Sequence, residues 1–92
     1  MQDIVSNQGH VILPGKYAVV TTDQNVTIPH GSYGLIVPVT GLLIKYGIEP
    51  ASTIVTETGE LKVVVFNRDA RNPYVIKPGY RVAQMVLIKI DS

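Results

Sequence analysis

The chain has 92 residues, of which 46% are hydrophobic and 16% are charged, and its net charge at pH 7 is +1. Disordered segments combine low hydrophobicity with high charge, so this composition excludes a disordered tail. Because basic and acidic residues nearly balance, the chain lacks the positive surface that binds nucleic acid or an anionic membrane, and neither partner is expected. Because cysteine is absent, disulfides, thiolate metal ligands and a cysteine nucleophile are excluded as well.

The low charged fraction predicts self-association. Globular domains carry about 25% charged residues, so a value of 16% indicates that part of the surface contacts protein instead of water. Residues 1–10 lack the basic and apolar regions of a secretory signal, and no apolar run reaches the ~18 residues that a membrane span needs. We expect a single domain over residues 1–92, placed in the cytoplasm or in a virion.

The fold class follows from the β-branched residues, which are 14 Val, 10 Ile and 7 Thr. Branching at Cβ weakens helices and suits a pleated sheet, so the chain is predicted to be all-β, as a small sandwich or jelly roll. The segment 42–48 is left open between a strand and one helical turn. The predicted strands are 11–13, 17–21, 25–28, 33–39, 52–56, 60–67, 74–76 and 81–90.

The last predicted strand indicates where the chain self-associates. Its middle, from Val82 to Ile88, is apolar at nearly every position, which predicts that both faces of the strand are covered. In so small a sandwich only one face of a strand can meet the core. A neighbouring subunit is the simplest cover for the other face, and Val82, Met85 and Leu87 are the predicted interface residues.

Candidate catalytic and metal-binding residues are few. His10 and His30 stand beside glycines without the spacing of a metal site, so both are predicted to be turn residues and no metal or other cofactor is expected. No serine has a histidine and an acid at the spacing of a hydrolase triad. Taken singly, these residues therefore predict no active site.

Three segments in register resemble the trimeric dUTPases. Residues 29–48 contain PVTGLLIKYGI, similar to the P-R-S-G-L…K-x-G-I of the second motif of that family. Residues 59–67 contain GELKV and a final Asn, similar to the third motif, and GYRVAQMV at 79–86 is similar to the G-D-R-I-A-Q-L-I of the fourth. The resemblance extends from about residue 11 to residue 90. It implies a small jelly roll of the β-clip type that forms a homotrimer with active sites shared between subunits.

The departures from the family pattern fall on the residues that, in the family, bind the substrate and activate water. The Arg and Ser of the second motif are Val39 and Thr40, and the stretch before Gly59 contains neither the family's water-activating Asp nor its Tyr. Glu57 is the nearest carboxylate. We found nothing like the first motif, A-G-x-D-L, in residues 1–10, and nothing like the Gly-rich fifth motif before Ser92. The resemblance leaves Thr40, Gly41, Arg81 and Gln84 as vestigial nucleotide contacts.

These departures predict a non-catalytic, dUTPase-like homotrimer, a pseudoenzyme that acts in assembly or protein–protein interaction. A viral or phage structural or regulatory protein, part of a larger protein assembly, is the expected setting. Two alternatives remain open. One is a deoxynucleotide-binding sensor that has lost hydrolysis, and the other is a divergent dUTP pyrophosphatase in which Glu57 activates water.

Overall fold

The computed structural model describes residues 1–51 and 54–90, which form nine β-strands and one short helix. The predicted all-β class is confirmed. The strands are β1 Gln2–Val5, β2 His10–Ile12, β3 Tyr17–Val26, β4 Ser32–Val37, β5 Ile48–Pro50, β6 Ile54–Val55, β7 Gly59–Asn67, β8 Tyr74–Ile76 and β9 Arg81–Lys89, and the helix α1 is Thr40–Tyr46.

The strands pair antiparallel and form three sheets. The first sheet has the order β1-β9-β4-β6, the second has β3-β7-β5, and the third pairs β2 with β8. Each sheet turns one face toward a common core of buried apolar side chains. The core residues are Ile4, Ile12, Val20, Val26, Ile36, Ile48, Leu61, Val63, Val65, Ile76, Val82, Ala83 and Met85.

Strand β7 shows why these segments form strands. Leu61, Val63 and Val65 are buried, whereas Val64 and Phe66 lie half-buried on the opposite face. This period of two matches the alternation of side chains across a pleated strand. The branched valines suit that surface and lose little further side-chain freedom there.

Strand β9 departs from simple alternation near its start. Ile4 pairs with Ala83, but the next residue, Val5, pairs with Arg81. Val82 is therefore the extra residue of a bulge, and Val82 and Ala83 are both buried. The bulge accounts for consecutive apolar residues without a second subunit at that point.

The structure buries two of the three predicted interface residues of β9. Val82 and Met85 are 1% and 3% exposed, so they pack inside this protomer and present no surface to a neighbour. A Cβ at Gly34 would lie 2.6 Å from the Sδ of Met85, which shows how tightly Met85 fits against β4. Of the three predicted residues, Leu87 alone is exposed, at 49%.

The open segment 42–48 divides into α1 and β5. Val39 is the N-cap of α1 and supplies no side-chain hydrogen bond, and the helix contains no fully buried residue. The helix is held by Leu42, which packs against the core, and by Tyr46, whose ring centroid lies 5.3 Å from that of Tyr74. Gly47 ends the helix at a φ of 69°, in the left-handed region.

Replacement of Gly47 by alanine is expected to destabilise the fold by about 1–3 kcal/mol, since φ is positive and the new Cβ would meet the Asp69 nitrogen at 3.1 Å. Gly41→Ala is the matched control. Gly41 lies within α1 with no atom near its missing Cβ, so alanine there should stabilise by up to about 1 kcal/mol. Urea unfolding measures both changes, and a neutral Gly47→Ala would contradict this account of the helix end.

The loop after β7 is fixed by side-chain hydrogen bonds. The fully buried Asn67 donates its Nδ2 to the carbonyls of Ile12, at 2.9 Å, and Asn72, at 3.0 Å. Asp69 Oδ1 accepts from the backbone N–H groups of Arg71 and Asn72. These hydrogen bonds hold the pKa of Asp69 below its ordinary value. The loop therefore holds the backbone nitrogen of Asp69 at a fixed position beside Gly47.

Several strand boundaries differ from the predicted ones. The predicted strands 17–21 and 25–28 form the single strand β3, whose register shifts between Thr21 and Asn25. Two edge strands, β1 and β5, were not predicted, because β1 begins with polar residues and β5 contains Pro50. Residues 52–53 of the predicted strand 52–56 lie outside the described residues. Within the described chain, no helix has the length and hydropathy needed to cross a membrane.

Candidate functional site

A groove of about 310 Å³ lies where β6 and β7 meet β4. Its apolar floor comes from the sheets, and its charged rim comes from Glu57, Glu60 and Lys62, all of which are exposed. The loop 56–58 between β6 and β7 forms one wall. The residues that line the groove are Ile36, Ile54, Val55, Thr56, Glu57, Glu60, Leu61, Lys62 and Val63.

The rim of this groove can perform acid–base and charge chemistry. Glu57 is an acceptor for the proton of a water molecule, and Lys62 can attract an anionic ligand. Glu57 lies in the short loop 56–58, and Lys62 lies on β7, the alternating strand that begins at Gly59. Thr56 lies beside Glu57 on the same wall. Of the candidates from the sequence, Glu57 is the one that this groove contains.

A second polar feature lies on β1 and β9 and converges on Asp3. Arg81 approaches Asp3 Oδ1 at 3.7 Å, and Gln84 donates its Nε2 to the same oxygen at 3.2 Å. Gln24 donates to the Asp3 carbonyl at 2.7 Å and accepts the Val5 N–H at 2.7 Å, so its side chain binds the free edge of β1. We call Asp3, Arg81 and Gln84 the Asp3 cluster.

Asp3 is a residue that the sequence analysis missed. Residues 1–10 show no full A-G-x-D-L motif, yet Asp3 and the buried Ile4 have the acidic–apolar order in which that motif ends. Asp3 is directly opposite Gln84 in the ladder between β1 and β9. In the sequence, the motif is represented by the dipeptide Asp3-Ile4, which is too short to recognise without the pairing of β1 with β9.

Thr40 and Gly41 lie at the same end of the sheet as the Asp3 cluster. Val37, the last residue of β4, pairs with Gln84. The chain then passes through residues 38–39 into α1, whose first two residues are Thr40 and Gly41, both exposed. The four predicted nucleotide contacts thus lie toward one end of this sheet, and their role stays a prediction.

The groove and the Asp3 cluster lie on opposite edges of one sheet. In the order β1-β9-β4-β6, two strands separate the edge that carries Asp3 from the edge that carries Ile54. With a spacing of about 4.8 Å between strands, the two edges are about 14 Å apart. Within one protomer, Asp3 and the Glu57 groove therefore lie at opposite edges of this sheet.

The outer face of this sheet is apolar and half-buried. Ile36 and Met85 form a buried pair, so the flanking pairs of the ladder point outward. Leu35 is paired with Val86 in this way, and Tyr33 with Ile88. The exposed Ile54 extends the surface across β6. We call Tyr33, Leu35, Ile54, Val86 and Ile88 the outer face.

The residues in place do not build a metal centre by themselves. Within residues 1–51 and 54–90, no three His, Asp or Glu side chains are grouped closely enough to hold an ion. The family implies Mg²⁺ with the triphosphate, but Asp3 is accompanied by Arg81 and Gln84 and not by further acids. His30 is exposed, and the Nε2 of the half-buried His10 is enclosed without a hydrogen-bond partner within the described chain.

The three antiparallel sheets and the two edge features define a β jelly roll of the dUTPase type. Residues 2–92 match the dUTPase family model, which covers nearly the whole chain. The chain belongs to the dUTPase family. Homotrimers are typical of this family.

Curated relatives carry the name deoxyuridine 5'-triphosphate nucleotidohydrolase. The protein from Eremothecium gossypii is 45% identical over 91 residues, which cover 96% of this chain and 58% of the relative. The Saccharomyces cerevisiae protein is 43% identical over 90 residues, covering 96% and 60%, and that of Paramecium bursaria Chlorella virus 1 is 38% identical over 90 residues, covering 94% and 62%. The chain thus spans about three fifths of the length of these relatives.

Solved structures share the fold. A variant of the dUTPase from phage phi11 of S. aureus superposes with a TM-score of 0.86 at 24% identity, covering 98% of this chain and 76% of the other. The native EIAV dUTPase gives 0.84 at 22% identity, covering 98% and 75%. These likenesses confirm the predicted dUTPase-like β fold.

The prediction of a non-catalytic pseudoenzyme for assembly is wrong. Relatives that are 36–45% identical over nearly the whole chain are named as nucleotidohydrolases, which are enzymes. The prediction rests in part on the first and fifth motifs, for which residues 1–10 and the residues before Ser92 show no match, although the chain spans only about three fifths of its relatives. The prediction also rests on the absence of the family's Asp before Gly59. The structure places another carboxylate, Glu57, in that stretch, on the rim of a groove.

Proposed function

We propose that this chain forms the body of a divergent dUTP pyrophosphatase, which hydrolyses dUTP to dUMP and pyrophosphate. The single observation that carries the proposal is the groove of about 310 Å³ with Glu57 on its rim, in a chain whose relatives are named for this reaction. Hydrolysis needs a group that removes a proton from water as the water attacks phosphorus. Glu57 is the carboxylate best placed for that role.

The other candidate residues are assigned roles in substrate binding from the hydrogen bonds that they can donate. Arg81 and Gln84 would donate hydrogen bonds to the triphosphate oxygens, and Thr40 and Gly41 would do so from the first turn of α1. The phosphates carry the charge that the enzyme must stabilise, so positioning and hydrogen-bond donation supply most of the catalytic effect.

The chain would work as a homotrimer with each site formed between two protomers. The 14 Å separation estimated from strand spacing keeps the groove and the Asp3 cluster of one protomer apart. A neighbour that covers the apolar outer face would bring its own Asp3 cluster toward the groove. The lack of nucleic-acid or membrane partners remains a prediction from composition, and membership of a larger assembly remains a prediction from the departures from the family pattern.

Pyrophosphate release from dUTP with Mg²⁺ tests the proposal directly. We expect turnover with dUTP and at least tenfold slower turnover with dCTP and dTTP, because a groove this small discriminates by fit and hydrogen bonding. A calorimetric titration on the same sample reports binding separately. Binding of dUTP without any release of pyrophosphate would contradict the proposed reaction and favour the sensor alternative.

A further inference from the structure

The loop that carries Glu57 has few contacts of its own. Residues 56–58 are all exposed, and β6 before them contributes only two residues to the sheet, paired with Gly34 and Leu35. After the loop, Gly59 pairs with Val26. Such a short, exposed connection would move freely between its two strands unless a further contact fixed it.

Thr58 supplies that contact. Its Oγ1 accepts a hydrogen bond from the backbone N–H of Ile28 at 2.8 Å, and the same oxygen lies 3.5 Å from the Ile28 carbonyl. Ile28 is 30 residues away in sequence and packs against the hydrophobic core. The hydroxyl therefore ties the exposed wall of the groove to a residue that packs against the core.

We propose that Thr58 is a positioning residue that holds Glu57 at the groove, an inference that rests on the proposed function. Glu57 directly precedes Thr58, so the orientation of the Thr58 backbone sets the direction in which the Glu57 side chain leaves the loop. A general base acts only within hydrogen-bond reach of the attacking water. A displacement of about 1 Å by the loop is enough to lower the rate substantially.

Thr58→Val removes the hydroxyl and keeps the shape of the side chain. We expect kcat for dUTP to fall roughly five- to tenfold while KM changes by less than twofold, because the contact acts on the attacking water and not on substrate binding. Thr58→Ser, which retains the hydroxyl, should restore most of kcat. Thr27→Val is the matched control, since Thr27 is exposed beside Ile28 and lies outside the groove.

The double variant with Glu57→Gln separates positioning from general stability. Once Glu57 is changed, the added Thr58→Val should lower kcat by less than twofold, because the contact then has no base to position. An equal further loss, or a failure of serine to restore kcat, would overturn the inference. If Thr58→Val does not fold, Thr58→Ala carries the same test.

The outcomes also distinguish this inference from the proposed function. A wild-type protein without dUTP turnover would remove both. Normal wild-type turnover that Thr58→Val leaves unchanged would overturn the positioning role alone.

Discussion

Replacement of Glu57 by glutamine should lower kcat for dUTP hydrolysis by about 10²- to 10⁴-fold, the range expected when a general base is lost. Glutamine keeps nearly the size of the side chain but cannot take a proton from water. KM should change little, since Glu57 acts on the attacking water in the transition state. Steady-state release of pyrophosphate measures both constants, and circular dichroism checks that the fold is kept.

Glu49→Gln is the control for this substitution. Glu49 lies on β5, outside the groove, where it is 3.6 Å from Arg68 in a partly exposed ion pair. Such pairs contribute little, so the variant should retain wild-type kcat. If both variants kept full activity, Glu57 would have no role in activating water, and another group would have to be found.

Replacement of Val86 by lysine should break the trimer. Val86 lies on the outer face and pairs with Leu35, so a trimer that covers this face would bury the new charge without a partner. An unpaired buried charge costs about 3–5 kcal/mol, and the threefold arrangement repeats that cost at every interface. Light scattering should report the mass of three chains for the wild type and of one chain for Val86→Lys.

Val19→Lys provides the matched control for the trimer. Val19 is 48% exposed on β3, in the second sheet, so the same change there should leave the mass at three chains. Loss of the trimer with Val19→Lys but not with Val86→Lys would place the interface on the other sheet. Met85→Lys is expected to unfold the chain, since Met85 is buried in the core of one protomer.

The fold was largely predictable because its signal is local. The β-branched Val63 and Val65 alternate on the buried face of β7 and identify it as a strand, and the Pro-Gly turns bound the strands. The two missed strands have weaker local signals. β1 gains its stability from pairing with β9, near the other end of the chain, and no local pattern contains that information.

The site was less predictable because its contacts join distant parts of the chain. Asp3 and Gln84 are 81 residues apart in sequence but hydrogen-bonded in the structure. The bulge at Val82 likewise shifts which residues of β9 face the core, and a period-two pattern cannot reveal a bulge. Glu57 was recognised as the nearest carboxylate, but its place on the rim of a groove depends on the pairing of β6 with β4.

In the proposed enzyme, the Glu57 groove of one protomer and the Asp3 cluster of another form one active site. Mixed trimers test it most directly. Glu57→Gln and Arg81→Ala chains, each inactive alone, are unfolded, mixed in equal amounts and refolded, and release of pyrophosphate is measured. Random assembly pairs an intact groove with an intact cluster in about one quarter of sites, so about a quarter of wild-type activity should return. A mixture no more active than its two components would contradict the shared site.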